Sequence, residues 1–143
     1  MPKGYKAMLE EALAQIVTLT PQEAAEQLGK PDVVFVDLRD PRELEREGMI
    51  PNAFHATRGM LEFWIDPESP YHKPVFAPEA QAKTQYIFYC TGGWRSALAG
   101  KTAKEMGLVN VAHIHGGLGE WKKANLPTVE WKPKTAKPVG EKQ

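Results

Sequence analysis

Two runs constrain this chain more than anything else in it: Val33–Arg39, VVFVDLR, and Thr84–Cys90, TQYIFYC. Both are short, β-branched or aromatic, and apolar at consecutive positions. A strand with one wet face alternates polar and apolar residues. A run without alternation needs cover on both faces, as in a parallel sheet. The segments after the two runs agree with this. The first run leads into DPRELEREG, with Asp40 as helix cap, Pro41 at the first helical position, Glu43 three residues on and Gly48 as stop. The second leads into a helix over Arg95–Met106, closed by Gly107. VNVAHIH (109–115) reads as a final strand and GGLGEWKKANLP as a last helix, ended by Pro127. Strands alternating with helices predict an α/β fold, a three-layer α/β/α sandwich around a central parallel sheet.

The remaining segments fit around this frame. Tyr5, Met8, Leu9, Ala12, Leu13, Ile16 and Val17 recur at three- and four-residue steps, the stripe of an amphipathic helix. Packing of that helix on its own domain is the simpler expectation, with a dimer contact as the other; oligomeric state stays open. TPQE from Thr20 to Glu23 carries the capping grammar of another helix. IPNAFHA is a short extended piece and GMLEFWI a helical turn. Asp66–Pro78 holds four prolines and no period, and reads as a long ordered loop or lid. The division expected is an N-terminal helix extension (1–19), a main domain (20–128) and a mobile, polar, proline-rich tail (129–143). No internal repeat is present.

Composition narrows the function. The 143 residues suffice for one domain with a substantial core. Lys plus Arg equals Asp plus Glu at 18 each, which speaks against nucleic acid as the main partner. No stretch approaches the ~20 apolar residues of a bilayer-spanning helix, so no membrane partner is expected. Acidic residues occupy the place where a secretory leader has its apolar centre. The single cysteine makes no internal disulfide. Cytoplasm is the expected location.

In parallel sheets, ligands collect outside the carboxyl ends of the strands. Asp37, Arg39, His55, Cys90, His113 and His115 all fall at or just past such ends. Among them, CTGGWR (90–95) has the most telling geometry. The chain must turn from a buried strand into a helix within six residues. Gly92 and Gly93 permit the positive φ angles that curl the loop. A curled loop at a helix start turns its N–H groups inward as an anion-binding nest. A thiol there ionises more readily than a free one, whose pKa is about 8.5. Arg95 adds a fixed cation. The stretch suits an anionic sulfur, or a sulfur with an anionic passenger.

CTGGWRS resembles the active-site loop, C-x-x-G-x-R, of single-domain rhodanese-like sulfurtransferases. VVFVDLRDPRELEREGMIPNAFH is similar to that family's early segment, and HIHGGLGEWKKANLP to its closing segment. The resemblance covers about Thr20 to Pro127. It implies a rhodanese-like fold and an enzyme that moves a sulfane sulfur from thiosulfate or a persulfide donor to cyanide or a thiol. It makes Cys90 the nucleophile and sulfur carrier. Thr91, Gly92, Gly93, Trp94, Arg95 and Ser96 supply N–H groups to the terminal sulfur, and Arg95 binds the anionic donor. Asp37 and Arg39 brace the loop, with Arg39 also available to donors. The implied partners are a small-molecule sulfur donor, a thiol or cyanide acceptor, and a sulfur-accepting protein; no cofactor or metal is implied.

Three departures from the family pattern stand out. His115 occupies a place that is often acidic, Trp94 gives the pocket an aromatic wall, and the 57–79 insert is longer than in minimal members. If that insert folds over the active edge, Arg58 meets the donor's anionic end and Trp64 joins the wall; otherwise they are a surface arginine and a core tryptophan. Tyrosine phosphatases and arsenate reductases use the same physics with five residues between Cys and Arg, against four here. A non-catalytic rhodanese-like binding module commonly lacks the cysteine. Cys–His hydrolysis would need His55, His113 or His115 beside Cys90, and the His113/His115 pair lacks a third metal ligand.

Overall fold

Along β2 (Val33–Asp37) and β4 (Gln85–Tyr89), successive side chains enter opposite layers of core. Val36, Tyr86 and Phe88 point one way, where they meet Leu61 and Ile65 of α4 (Leu61–Ile65) and Ala99 and Ala103 of α6 (Trp94–Glu105). Phe35, Ile87 and Tyr89 point the other way, onto Ala24 of α2 (Pro21–Ala25) and Leu118 and Trp121 of α7 (Gly117–Lys123). Both faces are covered, which is why the runs are apolar throughout. The computed structural model describes residues 2–133. Its sheet has five strands in the order β1 (Val17–Leu19), β5 (Val111–Ile114), β4, β2, β3 (Phe54–His55), with every neighbouring pair parallel. The α/β/α sandwich expected from the sequence is the observed architecture.

Register sets where the chemistry falls. Asp37 lies level with Tyr89 on one side and His55 on the other, while Phe88 lies level with His113. The strand ends therefore converge on one edge. From there α3 (Pro41–Glu47) starts with the expected capping box, Asp40 with Glu43.

Three expectations need correction. The N-terminal stripe is not one continuous helix face. α1 (Tyr5–Gln15) ends before Ile16, and the next residues form edge strand β1, paired with β5. Three residues are too few to display a period of two, so the helical spacing hides β1. Only Leu9, Ala12 and Ile16 pack inward, against Ala97 and Leu98 of α6; Tyr5, Met8, Leu13 and Val17 stay exposed. The 66–78 segment takes the first of its two readings, a long ordered loop, and not the lid. Its Phe76 is fully buried among core residues, and the chain continues into α5 (Pro78–Gln81). The start of the expected mobile tail is packed: Met49 and Val129 exchange two backbone hydrogen bonds, and Trp131 lies edge-on to His55. The tail residues 134–143 lie outside the described residues.

At the end of β2, its last residue Asp37 and Arg39 just beyond form a fully buried ion pair. One carboxylate oxygen accepts from the Arg39 backbone N–H at 3.0 Å and from Nε at 2.9 Å, the other from Nη2 at 2.7 Å. Nη2 also donates to the Gly48 carbonyl at 2.6 Å, and the guanidinium sits 5.7 Å from the Tyr89 ring centroid. Removing one member strands a buried charge, at a cost of about 3–5 kcal/mol. Arg39→Ala is expected to lose about that much stability in urea denaturation; a loss below about 1 kcal/mol would mean that Asp37 finds water or another partner.

Candidate active site

Cys90 is the first residue beyond β4, and its backbone is held from the next layer. Leu118 N–H donates to the Cys90 carbonyl at 2.8 Å and Gly119 N–H to the Thr91 carbonyl at 3.0 Å. This contact needs the Gly116–Gly117 turn after β5. Gly117 has φ +57°, and a Cβ there would overlap the Cys90 carbonyl oxygen and come within 2.8 Å of the Thr91 carbonyl. Gly93, at φ 97°, turns the loop into α6 and aims its N–H at Cys90 Sγ, 3.1 Å away. The sulfur thus accepts a backbone hydrogen bond at the start of a twelve-residue helix, where the helix dipole is positive. A shallow cavity of about 230 Å³ opens beside it, lined by Cys90, Gly92, Trp94 and Arg95. Trp94 is 61% exposed and its ring lies 5.1 Å from that of Tyr5, so the mouth is aromatic. Three larger hollows, of about 410, 400 and 350 Å³, are not lined by Cys90.

The expected site residues divide by position. Cys90, Gly92, Gly93, Trp94 and Arg95 are together. Gly93 is the N–H donor that reaches Sγ. Ser96 contributes its hydroxyl from behind, 3.7 Å from Sγ. Thr91 points away from the sulfur, donating from Oγ1 to Glu43 at 2.8 Å. Arg39 sits as a buried brace, the first of its two expected roles, and its reach to donors is corrected: its guanidinium is turned to Asp37 and Gly48 with no exposed surface. Arg58 is likewise corrected. It pairs with Glu62 at 3.2 Å and does not line the Cys90 cavity. Trp64 packs edge-on to Phe54 beneath Lys73, in the core rather than the pocket wall. His55 contacts the Arg39 carbonyl at 2.6 Å, and His115 is exposed at the end of β5. Among the described residues, no group of three or more His, Cys, Asp or Glu is placed to hold a metal ion.

Residues 20–124 match the Rhodanese-like domain family. The chain belongs to that family. An uncharacterized protein of Synechocystis is 33% identical to this rhodanese-like chain over 117 residues, which are 81% of this chain and 58% of the relative. The chain thus spans under two thirds of that curated relative. Among solved structures, a Rhodopseudomonas palustris protein of unknown function, described as a possible tyrosine phosphatase, is 56% identical with a TM-score of 0.84, covering 90% of this chain and 96% of that one. The polysulfide-sulfur transferase homodimer of Wolinella succinogenes is 31% identical with a TM-score of 0.65, covering 92% and 91%. Relatives of this rhodanese-like domain therefore include sulfurtransferases, which supports a transferase in the broad sense. No helix among the described residues is long and apolar enough to cross a membrane.

Two participants in the site have no signature in the sequence that names them as such. By sequence Glu43 is a helix cap. It does cap, accepting from Asp40 N–H at 3.1 Å, but it also accepts from Arg95 Nη1 at 2.8 Å and Nη2 at 2.9 Å. Arg95 first, helped by the Thr91 hydroxyl, holds the Glu43 carboxyl down at about 2. The signal available is its position, one helical turn after a strand end, though nothing in the sequence names Arg95 as partner. The second is His113, which the sequence places at the strand-end edge together with His55 and His115 and does not single out. It is 2% exposed, with Nδ1 2.9 Å from Ser96 Oγ and Nε2 3.0 Å from Thr18 Oγ1.

Gly117→Ala is expected to displace the Cys90 carbonyl and to slow reactions at the thiol by on the order of 10–100-fold, read by alkylation rate. A wild-type rate in a folded variant would show that the loop can relax around a Cβ. Acid probes the rear of the site. Burial, with a smaller push from His115, lowers His113 to about 4. An unfolded chain takes up that proton near 6.5, so stability is full above that pH and falls as pH drops toward 4. His113→Asn is expected to flatten this part of the Tm–pH curve relative to wild type; equal slopes would mean that other groups carry the loss.

Proposed function

We propose that this rhodanese-like chain is a sulfurtransferase that carries a sulfane sulfur as a persulfide on Cys90. The observation that carries the reading is the Cys90 sulfur itself, 3.1 Å from Gly93 N–H at the start of α6, with Arg95 on the same cavity. In the loading step the thiolate attacks the outer sulfur of the donor. A new S–S bond forms, the donor's own S–S or S–sulfonate bond breaks, and its electron pair leaves with a thiolate or sulfite. In the unloading step a thiol or cyanide attacks the outer sulfur, and Cys90 departs as thiolate with the electron pair. No net oxidant is needed.

The donor is a persulfide or polysulfide in preference to thiosulfate. Arg95, the cation expected to meet thiosulfate, directs both terminal nitrogens at Glu43. A sulfonate group approaching this pair finds both terminal nitrogens of the guanidinium already engaged. The mouth beside Trp94 and Tyr5 is aromatic, which favours a donor that presents polarizable sulfur atoms over one that presents a hydrated sulfonate. The Wolinella relative's transfer of polysulfide sulfur supports the same preference. A sulfur-accepting protein remains a fitting acceptor because the cavity is shallow and open.

A second reading, a cysteine-dependent phosphatase, is favoured by the description of the Rhodopseudomonas protein. Against it stand the four residues between Cys90 and Arg95 and the single backbone N–H on Sγ. A phosphoryl group has three equatorial oxygens to satisfy, and phosphoryl-transfer sites surround them with donors.

Intact-mass measurement separates these readings. Treatment with inorganic polysulfide, and more slowly with thiosulfate, is expected to add the mass of one sulfur to wild type and none to Cys90→Ser, and cyanide to remove it. Glu43→Gln is expected to raise thiosulfate loading several-fold relative to polysulfide by freeing the Arg95 charge. No sulfur adduct, with turnover of an aryl phosphate by the same preparation, would overturn the proposal in favour of the phosphatase.

A further inference from the structure

The proton of the Cys90 thiol is enclosed. Cys90 is only 1% exposed, and a nucleophile that works as a thiolate must release that proton and later recover it. Behind the sulfur, on the side away from the cavity, lies a row of exchangeable groups. Sγ is 3.7 Å from Ser96 Oγ, Ser96 Oγ is 2.9 Å from His113 Nδ1, and His113 Nε2 is 3.0 Å from Thr18 Oγ1. Ser96 and His113 are buried, whereas Thr18, on edge strand β1, is exposed. The row runs from the thiol to solvent through the sheet edge. On the reading of Cys90 as nucleophile, we infer that His113 is the positioning residue of a proton relay that carries the thiol proton through Ser96 to Thr18 and back.

Each link can run in either direction, because a hydroxyl both donates and accepts and a neutral imidazole does one at each nitrogen. With the thiol intact, Sγ–H donates to Ser96 Oγ, the Ser96 hydroxyl to His113 Nδ1, and Nε2–H to Thr18 Oγ1. Release reverses every link. The S–H bond breaks and its electron pair stays on sulfur. Ser96 takes that proton and passes its own to Nδ1; Nε2 gives its proton to Thr18, which passes one to water. The Ser96 hydroxyl then donates to the thiolate, beside the Gly93 N–H already 3.1 Å away. One proton leaves, and His113 is neutral before and after.

The surroundings suit a neutral relay. His113 faces Ser96 of α6 and Thr18 of β1, both uncharged, lies level with Phe88 of β4, and has His115 as its one titratable influence. A histidine that protonated near neutrality would hold the proton instead of passing it on. Burial keeps it from doing so. Ser96 Oγ has one competing acceptor, the Gly93 carbonyl at 3.2 Å, which takes its proton when the relay is interrupted.

The test is the pH profile of Cys90 alkylation by iodoacetamide, which needs no sulfur donor. His113→Phe breaks the row and leaves the Ser96 hydroxyl to the Gly93 carbonyl, so the thiolate loses that donor; alkylation at pH 7 is expected to slow about tenfold and the midpoint of the profile to move up by about one unit. His113→Asn can donate its side-chain N–H to Ser96 Oγ, which leaves the Ser96 hydroxyl for the thiolate, and is expected to recover part of that loss. Ser96→Ala should match His113→Phe, and the double variant should be no slower than the slower single one, since both break one chain. A folded His113→Phe with the wild-type profile, or additive losses in the double variant, would overturn the inference. If His113→Phe does not fold, His113→Asn decides: a partial upward shift supports the relay and an unmoved profile overturns it. A chain that shows these shifts but carries no sulfur would sink the sulfurtransferase reading and leave the relay standing; the reverse pattern would do the opposite.

Discussion

The site depends on one carboxylate. Glu43 satisfies the Asp40 N–H at the start of α3, the Thr91 hydroxyl in the cysteine loop and both terminal nitrogens of Arg95. It therefore ties the helix after β2 to the loop after β4, two segments distant in sequence whose strands already pair in register. A loop that ends a strand has few backbone partners of its own, and a surface salt bridge alone would hold it weakly. Here the bridge is bidentate and half-buried, and its carboxylate is fixed at a helix cap before it meets the arginine. The loop is held from two further directions by the Gly116–Gly117 turn beneath it and by the Asp37–Arg39 pair behind Tyr89.

This arrangement changes what Arg95 means. Read from sequence, it is a free cation waiting for an anionic donor. In the structure its charge is already answered, and its planar fork is used to fix geometry. The charge balance of the cavity comes nearer to neutral than the loop motif alone suggests, and an aromatic mouth of Trp94 and Tyr5 adds apolar surface to it. That combination suits a substrate recognised through polarizable sulfur more than through oxyanion charge. Tyr5 comes from α1, so the N-terminal segment shapes the site as well as extending the sheet.

Features with a local signature are legible in the sequence. Both central strands, the capping boxes at Thr20 and Asp40, and the glycine-rich turn into α6 can be read because a few adjacent residues determine each. Features that depend on partners distant in the chain are not. Strand β1 is three residues long and exists because β5 offers an edge. Arg39 and Arg58 can be placed near strand ends but not oriented, since burial beside Asp37 and a helical pairing with Glu62 decide where they point. The same holds for Glu43 and His113. Each carries a sufficient local explanation, a cap and an apolar-strand histidine, and the second role emerges only when the sheet brings their partners alongside.

Front and back of Cys90 are thereby given different tasks. The front opens on a shallow cavity, where on the proposed sulfurtransferase reading a donor and then an acceptor approach in turn. The back is closed by α6 and β5 and offers no room for either. With one cysteine in the sequence, no second thiol within it could attack the proposed persulfide, so on that reading the front admits an external acceptor. A proton that also left by the front would compete with that traffic for the same small opening. A route through Ser96, His113 and Thr18 avoids the conflict, because protons pass along hydrogen bonds where no heavy atom fits. A sulfur with 1% exposure can then exchange its proton from behind and keep its cavity face for the reacting partners.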